Sequence, residues 1–402
     1  MKKLALSLLI SASLTAPAIS YAKDIVIGFT TSETGKLNAD STPQLQGFEL
    51  WRDQVNAAGG IKVGNDHYKV KFVKYDDQST ASRVQQLYVR LVTQDNANFL
   101  FSPYSSGLTA TAAIISEQYG KVMITTGAAE GKTYELGNQY LFQMYTPANL
   151  YLASALDAVK AKDPGAKIAL IYENGGFAKA VAKGAKQYAG KLGLNVVMDE
   201  AYDPSTTDFS PILNKVVTSG ATVLIGGGHF ADGSTLARQL HEQNMKLKMI
   251  SLLVAPDVPK FVELGDAAYG VSVPSQWEPE VKFTPDFGPT AAQFTKEYKA
   301  RYHVTPGYHA AGGYASGIVL EHAIEQAGSL DTDKVAAALN KMNATTFYGN
   351  IQFATDKSDH GLQIGHDMVL AQWQKDSQGK LGKQVVWPAA AGTAPLIYPI
   401  SK

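Results

Sequence analysis

The sequence predicts an α/β protein of two lobes, each built on a parallel sheet with both faces covered. Three observations predict it. Short β-rich runs alternate with longer amphipathic stretches over much of the chain, and strand, helix, strand repeated this way favours parallel sheets under helices. The alternation forms two arrays of similar length, broken at NQYLFQMYTPAN around Gln143–Pro147. A chain of 402 residues, 45% apolar and 18% charged, is globular and long enough for its core to have split in two.

The opening residues read as an export signal, not as part of the fold. Lys2 and Lys3 precede the apolar run LALSLLI, and the stretch closes on Ser20-Tyr21-Ala22. A basic start, an apolar run too short for a bilayer and small residues three and one before a cut after Ala22 define a cleavable signal, residues 1–22. The mature chain is then expected to start at Lys23, in the periplasm.

The strand candidates follow in order: DIVIGF (24–29), YKVKFVKY (68–75), NFLF (98–101), KVMITT (121–126), KIALIY (167–172), LNVVMD (194–199), ATVLIG (221–226) and LKMISL (247–252). Helix-length segments lie between most of them, at 47–56, 81–94, 109–119 and 177–192. After about residue 270 the pattern changes: Pro274, Pro279, Pro285, Pro289 and Pro306 crowd the chain, and a second crossing is expected near Val273–Trp277. Helical stretches at 291–302, 312–327 and 333–342 follow, then β-rich, Gly-punctuated segments.

In open parallel sheets the ligand crevice lies outside the carboxyl ends of the strands. The loops that follow strands are TSETGKLN, YDDQST, SPYSSG, TTGAAEG, YENGGF and GGGHFADG. TTGAAEGKT ends like a phosphate loop, but only Ala128, Ala129 and Glu130 separate Gly127 from Gly131. The cradle is one residue short, and Glu130 places a negative charge where phosphate would sit. In SPYSSGLTATAAI, Ser105, Ser106 and Thr109 lead into a helix, where hydroxyls and free N–H groups make an anion site or an N-cap. With Gly127, which lets backbone approach a ligand, two neighbouring strand ends could hold one carboxylate. Tyr104, Phe177, His229, Trp277 and His309 lie in or beside these loops and supply candidate walls for a small-molecule pocket.

Composition excludes several chemistries. There is no cysteine, which removes thiol catalysis and thiolate metal sites, and a formal net charge of zero offers nucleic acid nothing. No Gly-x-Ser-x-Gly elbow or His-Glu-x-x-His occurs. His360 and His366, with Asp359 and Asp367, read as a solvated loop, and Asp76-Asp77 as a strand end with a turn. No catalytic residue, metal or cofactor is expected.

The ordered set GFTTSETG with QGFELWRDQVNAAGGI, YDDQST, SPYSSGLTATAAI, MITTGAA, KIALIYENGGF, YDPSTTDFSPILNKV, GGGHFADGSTLARQL and TPGYHAAGGYASG resembles the leucine/isoleucine/valine-type periplasmic solute-binding proteins of ABC transporters, over nearly the whole mature chain. The resemblance implies the type I periplasmic binding fold: two Rossmann-like lobes joined by a multi-strand hinge, a solute in the cleft, hinge closure around it and delivery to an ABC permease. The lobes are expected at 23–143 plus 276–349 and at 144–275 plus 350–402, in a monomer. The resemblance carries the carboxylate-binding serine to Ser105 or Ser106, the backbone contacts to Gly127 and Ala129, and the wall positions to Phe177, His229 and His309.

The acidic residue that takes a ligand ammonium in amino-acid binders falls on Leu253. An ammonium facing Leu253 would be desolvated without compensation. The solute is therefore an amino acid, with Asp232, Glu130 or Asp257 compensating, or a small carboxylate without an α-amino group. A ligand-sensing domain that docks on a receptor is the alternative class.

Overall fold

The computed structural model describes residues 24–400, so the expected export signal lies outside them. The first lobe is a six-stranded sheet of β1 (Asp24–Thr31), β2 (Ile61–Val63), β3 (Asp66–Asp76), β4 (Phe99–Phe101), β5 (Met123–Thr125) and β6 (Leu141–Gln143), in the order β2-β3-β1-β4-β5-β6. Only the β2/β3 hairpin is antiparallel. The second sheet joins β7 (Lys167–Glu173), β8 (Asn195–Tyr202), β9 (Val223–Gly227), β10 (Met249–Leu252) and β11 (Val271–Ser275) in parallel. Two antiparallel strands, β14 (Val369–Lys375) and β15 (Leu381–Trp387), extend it, and β12 (Asn343–Thr346) pairs with β13 (Gly349–Gln352) as a separate hairpin.

Period-2 burial turns Ile25, Ile27 and Phe29 of β1 inward, against Phe48 and Trp51 of α1 (Asn38–Ala57). Phe48 stacks on Phe101 at 4.5 Å between ring centres. Each such ring contributes about 1.5–3 kcal/mol by leaving water. The late helix α9 (Tyr308–Ala327) returns to pack on α1, and glycine lets the two backbones meet. A Cβ at Gly47 would lie 2.2 Å from the Ala310 carbonyl oxygen, and one at Gly313 2.4 Å from that of Gln44.

The remaining helices are α2 (Ala81–Thr93), α3 (Ser106–Gln118), α4 (Ala153–Lys162), α5 (Gly176–Leu192), α6 (Ser210–Ser219), α7 (Phe230–Glu242), α8 (Ala291–Tyr302) and α10 (Thr332–Asn340). Helices α1, α3 and α9 start earlier than their apolar periodicity suggests. Among the described residues none is long and apolar enough to cross a membrane.

Three segments carry the chain between the lobes and are tied to one another. Thr146 N–H donates to Gln276 Oε1 at 3.0 Å, Thr146 Oγ1 donates to the His366 carbonyl at 2.9 Å, and His366 Nε2 lies 2.8 Å from the Gln276 carbonyl. Burial pushes the His366 imidazole down to about 4, so it stays neutral and donates this bond. His366 is thus a hinge residue stacked on Tyr348 at 4.7 Å, not part of a solvated loop.

The third crossing falls at His366 and not at the expected boundary after residue 349. Gln143 N–H donates to the Gly361 carbonyl at 2.8 Å, and Phe353 packs on Phe142 at 5.2 Å, so residues 350–365 stay with the first lobe. β6 is the edge of the first sheet, and this loop covers its open hydrogen-bonding groups.

Candidate functional site

The carboxyl ends of β4 and β5 in one lobe face those of β7, β9 and β10 in the other. Between them lies a narrow cavity of about 10 Å³, room for at most one water. From the first lobe come Tyr104 and Ser106 after β4, Gly127 and Ala129 after β5, and Tyr308 and His309 at the start of α9. Phe177, His229 and Val254 follow β7, β9 and β10, and Tyr145 and Tyr151 come from the first crossing.

The walls are aromatic. Tyr104 lies 5.3 Å from His309 and 6.1 Å from His229 between ring centres, Phe177 6.0 Å from His229, and Tyr151 5.2 Å from Phe177. Burial holds the phenols of Tyr104, Tyr145 and Tyr308 well above their ordinary range, so they remain protonated.

Ser106 Oγ accepts the N–H groups of Ala129 at 3.0 Å and Glu130 at 3.1 Å. With both lone pairs taken, Ser106 presents its hydroxyl proton to the cavity. His229 Nδ1 donates to Glu173 Oε2 at 2.7 Å. Although burial opposes charge, Glu173, aided by Asp40 and Asp232, holds the imidazole up at about 9, so it is a cation at neutral pH. Its Nε2–H is then a second donor.

Local backbone geometry aims these groups. Gly127 has φ +67°, and a Cβ there would sit 2.4 Å from Gln44 Oε1 and 2.6 Å from Tyr104 Cδ2. Ser105 is held at φ +86°, ψ +148°, a region that favours glycine, as its N–H donates to the Gly127 carbonyl and its hydroxyl caps α3 by accepting the Leu108 N–H at 3.4 Å. Val254 has φ +49°, ψ −61°, with Ala255 N–H donating to the Leu253 carbonyl at 2.5 Å. That is a γ-turn of the rarer, strained hand at the cavity wall.

Among the described residues, Glu173, His229 and Asp232 form the one trio close enough to hold a metal ion. Its oxygens are already committed: Glu173 accepts from His229 Nδ1, while Asp232 accepts the His229 N–H at 2.8 Å and the Tyr202 hydroxyl. The trio is internally satisfied as an ion-pair cluster.

Comparison with known proteins decides the family. The periplasmic binding protein family model matches residues 24–380. The chain belongs to the periplasmic binding protein family. A Leu/Ile/Val-binding protein homolog of Brucella melitensis is 24% identical over 404 residues, covering 96% of this chain and 97% of that one. The branched-chain amino acid transporter substrate-binding protein LivJ of Streptococcus pneumoniae, solved with isoleucine, has a TM-score of 0.75 at 23% identity, over 90% of this chain and 99% of its own. A solute-binding protein of an ABC transporter from R. palustris, solved with benzoate, has a TM-score of 0.73 at 17% identity, over 94% and 98% of the two chains.

The cleft of this binding protein gathers seven of the ten expected site residues: Tyr104, Ser106, Gly127, Ala129, Phe177, His229 and His309. Three lie elsewhere. Ser105 is spent on capping α3. Leu253 is buried in the apolar core of its lobe, and its neighbour Val254 takes the wall. Trp277 packs on Phe294 and Phe347 near the hinge, with Nε1 donating to the Phe347 carbonyl at 2.9 Å.

The role of Ala129 also changes: its N–H is taken by Ser106 and is not free for a solute anion. Sequence reasoning missed Tyr145, Tyr151, Val254 and Tyr308. Tyr145 and Tyr151 flank the break in rhythm that marks the first crossing, a signal that such a break also lines the cleft. The Asp76-Asp77 pair is a turn: Asp76 accepts from Thr34 Oγ1 and the Gln78 N–H, and Asp77 from Thr30, Ser32 and the Ser79 N–H.

Proposed function

We propose that this periplasmic binding protein captures a small carboxylate with a compact aromatic or aliphatic body and no α-amino group, and delivers it to the membrane permease of an ABC transporter. The observation that carries the reading is the polarity of the wall: Ser106 and His229 offer protons, and no carboxylate lines the cavity among the described residues. A carboxylate anion accepts both. An ammonium group would meet aromatic edges and Val254 without an anionic partner, at a cost of several kcal/mol.

Of the nearest carboxylates, Glu173 is committed to His229 and Asp257 to Tyr308 and His309, Glu130 folds over Gly176, and Asp40, which does not line the cavity, gives one oxygen to Phe230. The aromatic box and the benzoate held by the R. palustris protein point the same way. An α-amino acid is the second reading, favoured by the Leu/Ile/Val-binding name of the Brucella relative and the isoleucine in the S. pneumoniae structure.

Mass spectrometry of the molecule retained by natively purified protein tests the proposal. A monocarboxylate without an amine is the expected species. An α-amino acid as the retained molecule would contradict it.

A further inference from the structure

Two buried carboxylates cross the closed cleft in opposite directions. Asp40, in the first turn of α1 on the first lobe, accepts the N–H of Phe230, the first residue of α7 on the second lobe, at 3.2 Å. Asp257, on the second lobe, accepts the N–H of Tyr308, the first residue of α9 on the first lobe, at 3.1 Å, and receives His309 Nδ1 at 3.2 Å. Each satisfies an orphan N–H and faces the positive end of a long helix from the opposite lobe. Donor and acceptor ride on different lobes, so opening the cleft breaks both contacts.

We propose that Asp40 and Asp257 are reciprocal positioning residues that set how readily the cleft closes before any solute arrives, Asp257 as the strong catch and Asp40 as the weak, releasable one. Asp257 is supported by a buried ammonium and a ring N–H. Lys383 Nζ donates to its Oδ1 at 2.6 Å, and this lysine and His309 hold the carboxyl below its ordinary range despite complete burial. No cation among the described residues bonds to Asp40, and the nearby His229 acts on it only through space. Its Oδ2 is buried without a hydrogen-bond partner among the described residues, and Oδ1 has only the Phe230 N–H.

The titratable groups that face Asp40 are His229 and Asp232 at the start of α7, His309 on α9 and Tyr104. The His229 imidazolium is already paired with Glu173, whose other neighbour across the cleft is Lys36 at 3.9 Å.

Burial pushes the Asp40 carboxyl up to about 6 from its ordinary value of 3.8. An open cleft returns it to water and to that ordinary value. Between the two values, closing takes up a proton, so the closed form gains as pH falls through about 6 and the gain is complete below about 4. His229 and Glu173 share one lobe, so their ion pair survives opening and adds little pH dependence of its own.

The inference rests on capture by lobe closure. Its test uses no solute, so an error in solute class leaves the outcome unchanged. The absence of cysteine allows Gln94→Cys and Asn214→Cys, exposed on opposite lobes, to carry spin labels for interlobe distances in the ligand-free chain from pH 4.5 to 8.

The closed fraction of the parent is expected to rise several-fold between pH 7.5 and 5, Asp40→Asn to abolish that rise, and Asp257→Asn to lower the closed fraction at every pH. Phe230→Pro removes the donor N–H at a helix position that tolerates proline, and should weaken closure without changing the fold. It carries the Asp40 arm if Asp40→Asn fails to fold. An unchanged pH profile in Asp40→Asn, parent-like closure in Asp257→Asn, or parent-like closure in Phe230→Pro would overturn the proposal.

Discussion

Ser106 Oγ accepts the main-chain N–H of Ala129 at 3.0 Å, which welds the loop after β4 to the loop after β5 and turns the serine proton toward the cleft. The anion-binding edge of the first lobe is therefore a serine hydroxyl backed by main chain.

Ser106→Ala removes that proton and orphans the N–H groups of Ala129 and Glu130. Each orphan costs about 1–3 kcal/mol. Calorimetry with the retained solute should show affinity reduced by about ten- to a hundredfold, together with a lower melting temperature.

Ser105 behaves oppositely, because its backbone sits where glycine is at ease and its side chain serves only as a cap. Ser105→Gly relieves strain of about 1–3 kcal/mol and forfeits a few tenths of cap energy. After the added chain entropy of glycine, of about 0.4–1 kcal/mol, a net gain of about 1 kcal/mol is expected in urea unfolding, with affinity unchanged. Loss of stability would contradict the assignment.

Glu173 sets the charge on His229. The imidazole rises from its ordinary 6.5 to about 9, so its contribution to stability is fully present below 6.5 and is lost as pH rises through about 9. Carboxylate binding should fade over the upper part of the same window. In Glu173→Gln, NMR titration of the ring protons should show a midpoint at least one unit lower, with the loss of binding moving in step. A midpoint left near 9 would remove Glu173 from the account.

His366 carries the opposite sign. Its folded value is depressed to about 4, so below 6.5 the unfolded chain binds a proton that the folded hinge refuses. Stability should fall on acidification from 6.5 toward 4, by up to about 1.4 kcal/mol per pH unit from this group. Denaturation of His366→Gln across that range should lack this component of the slope.

The alternating runs made most parallel strands legible, since full burial on both faces leaves a continuous apolar signature, as in KIALIY and ATVLIG. The loops after those strands gave the cleft, because topology alone sends strand ends to the crevice. What stayed hidden depends on geometry that composition does not encode. Ser105 and Ser106 are alike in type, yet one caps a helix while the other faces the cavity. Leu253 and Val254 are neighbours, and only the strained turn at Val254 decides which of them reaches the wall. Residues 350–365 joined the first lobe because β6 needed an edge cover, a demand visible only once the sheet order is known.

Calorimetry of leucine against 4-methylpentanoate, which differ only in the α-amino group, tests the proposed cleft chemistry most directly. The donor-lined, carboxylate-free wall predicts that 4-methylpentanoate binds at least tenfold more tightly, with benzoate also bound. Tighter binding of leucine would contradict it, and would require an anionic partner for the ammonium inside the cleft.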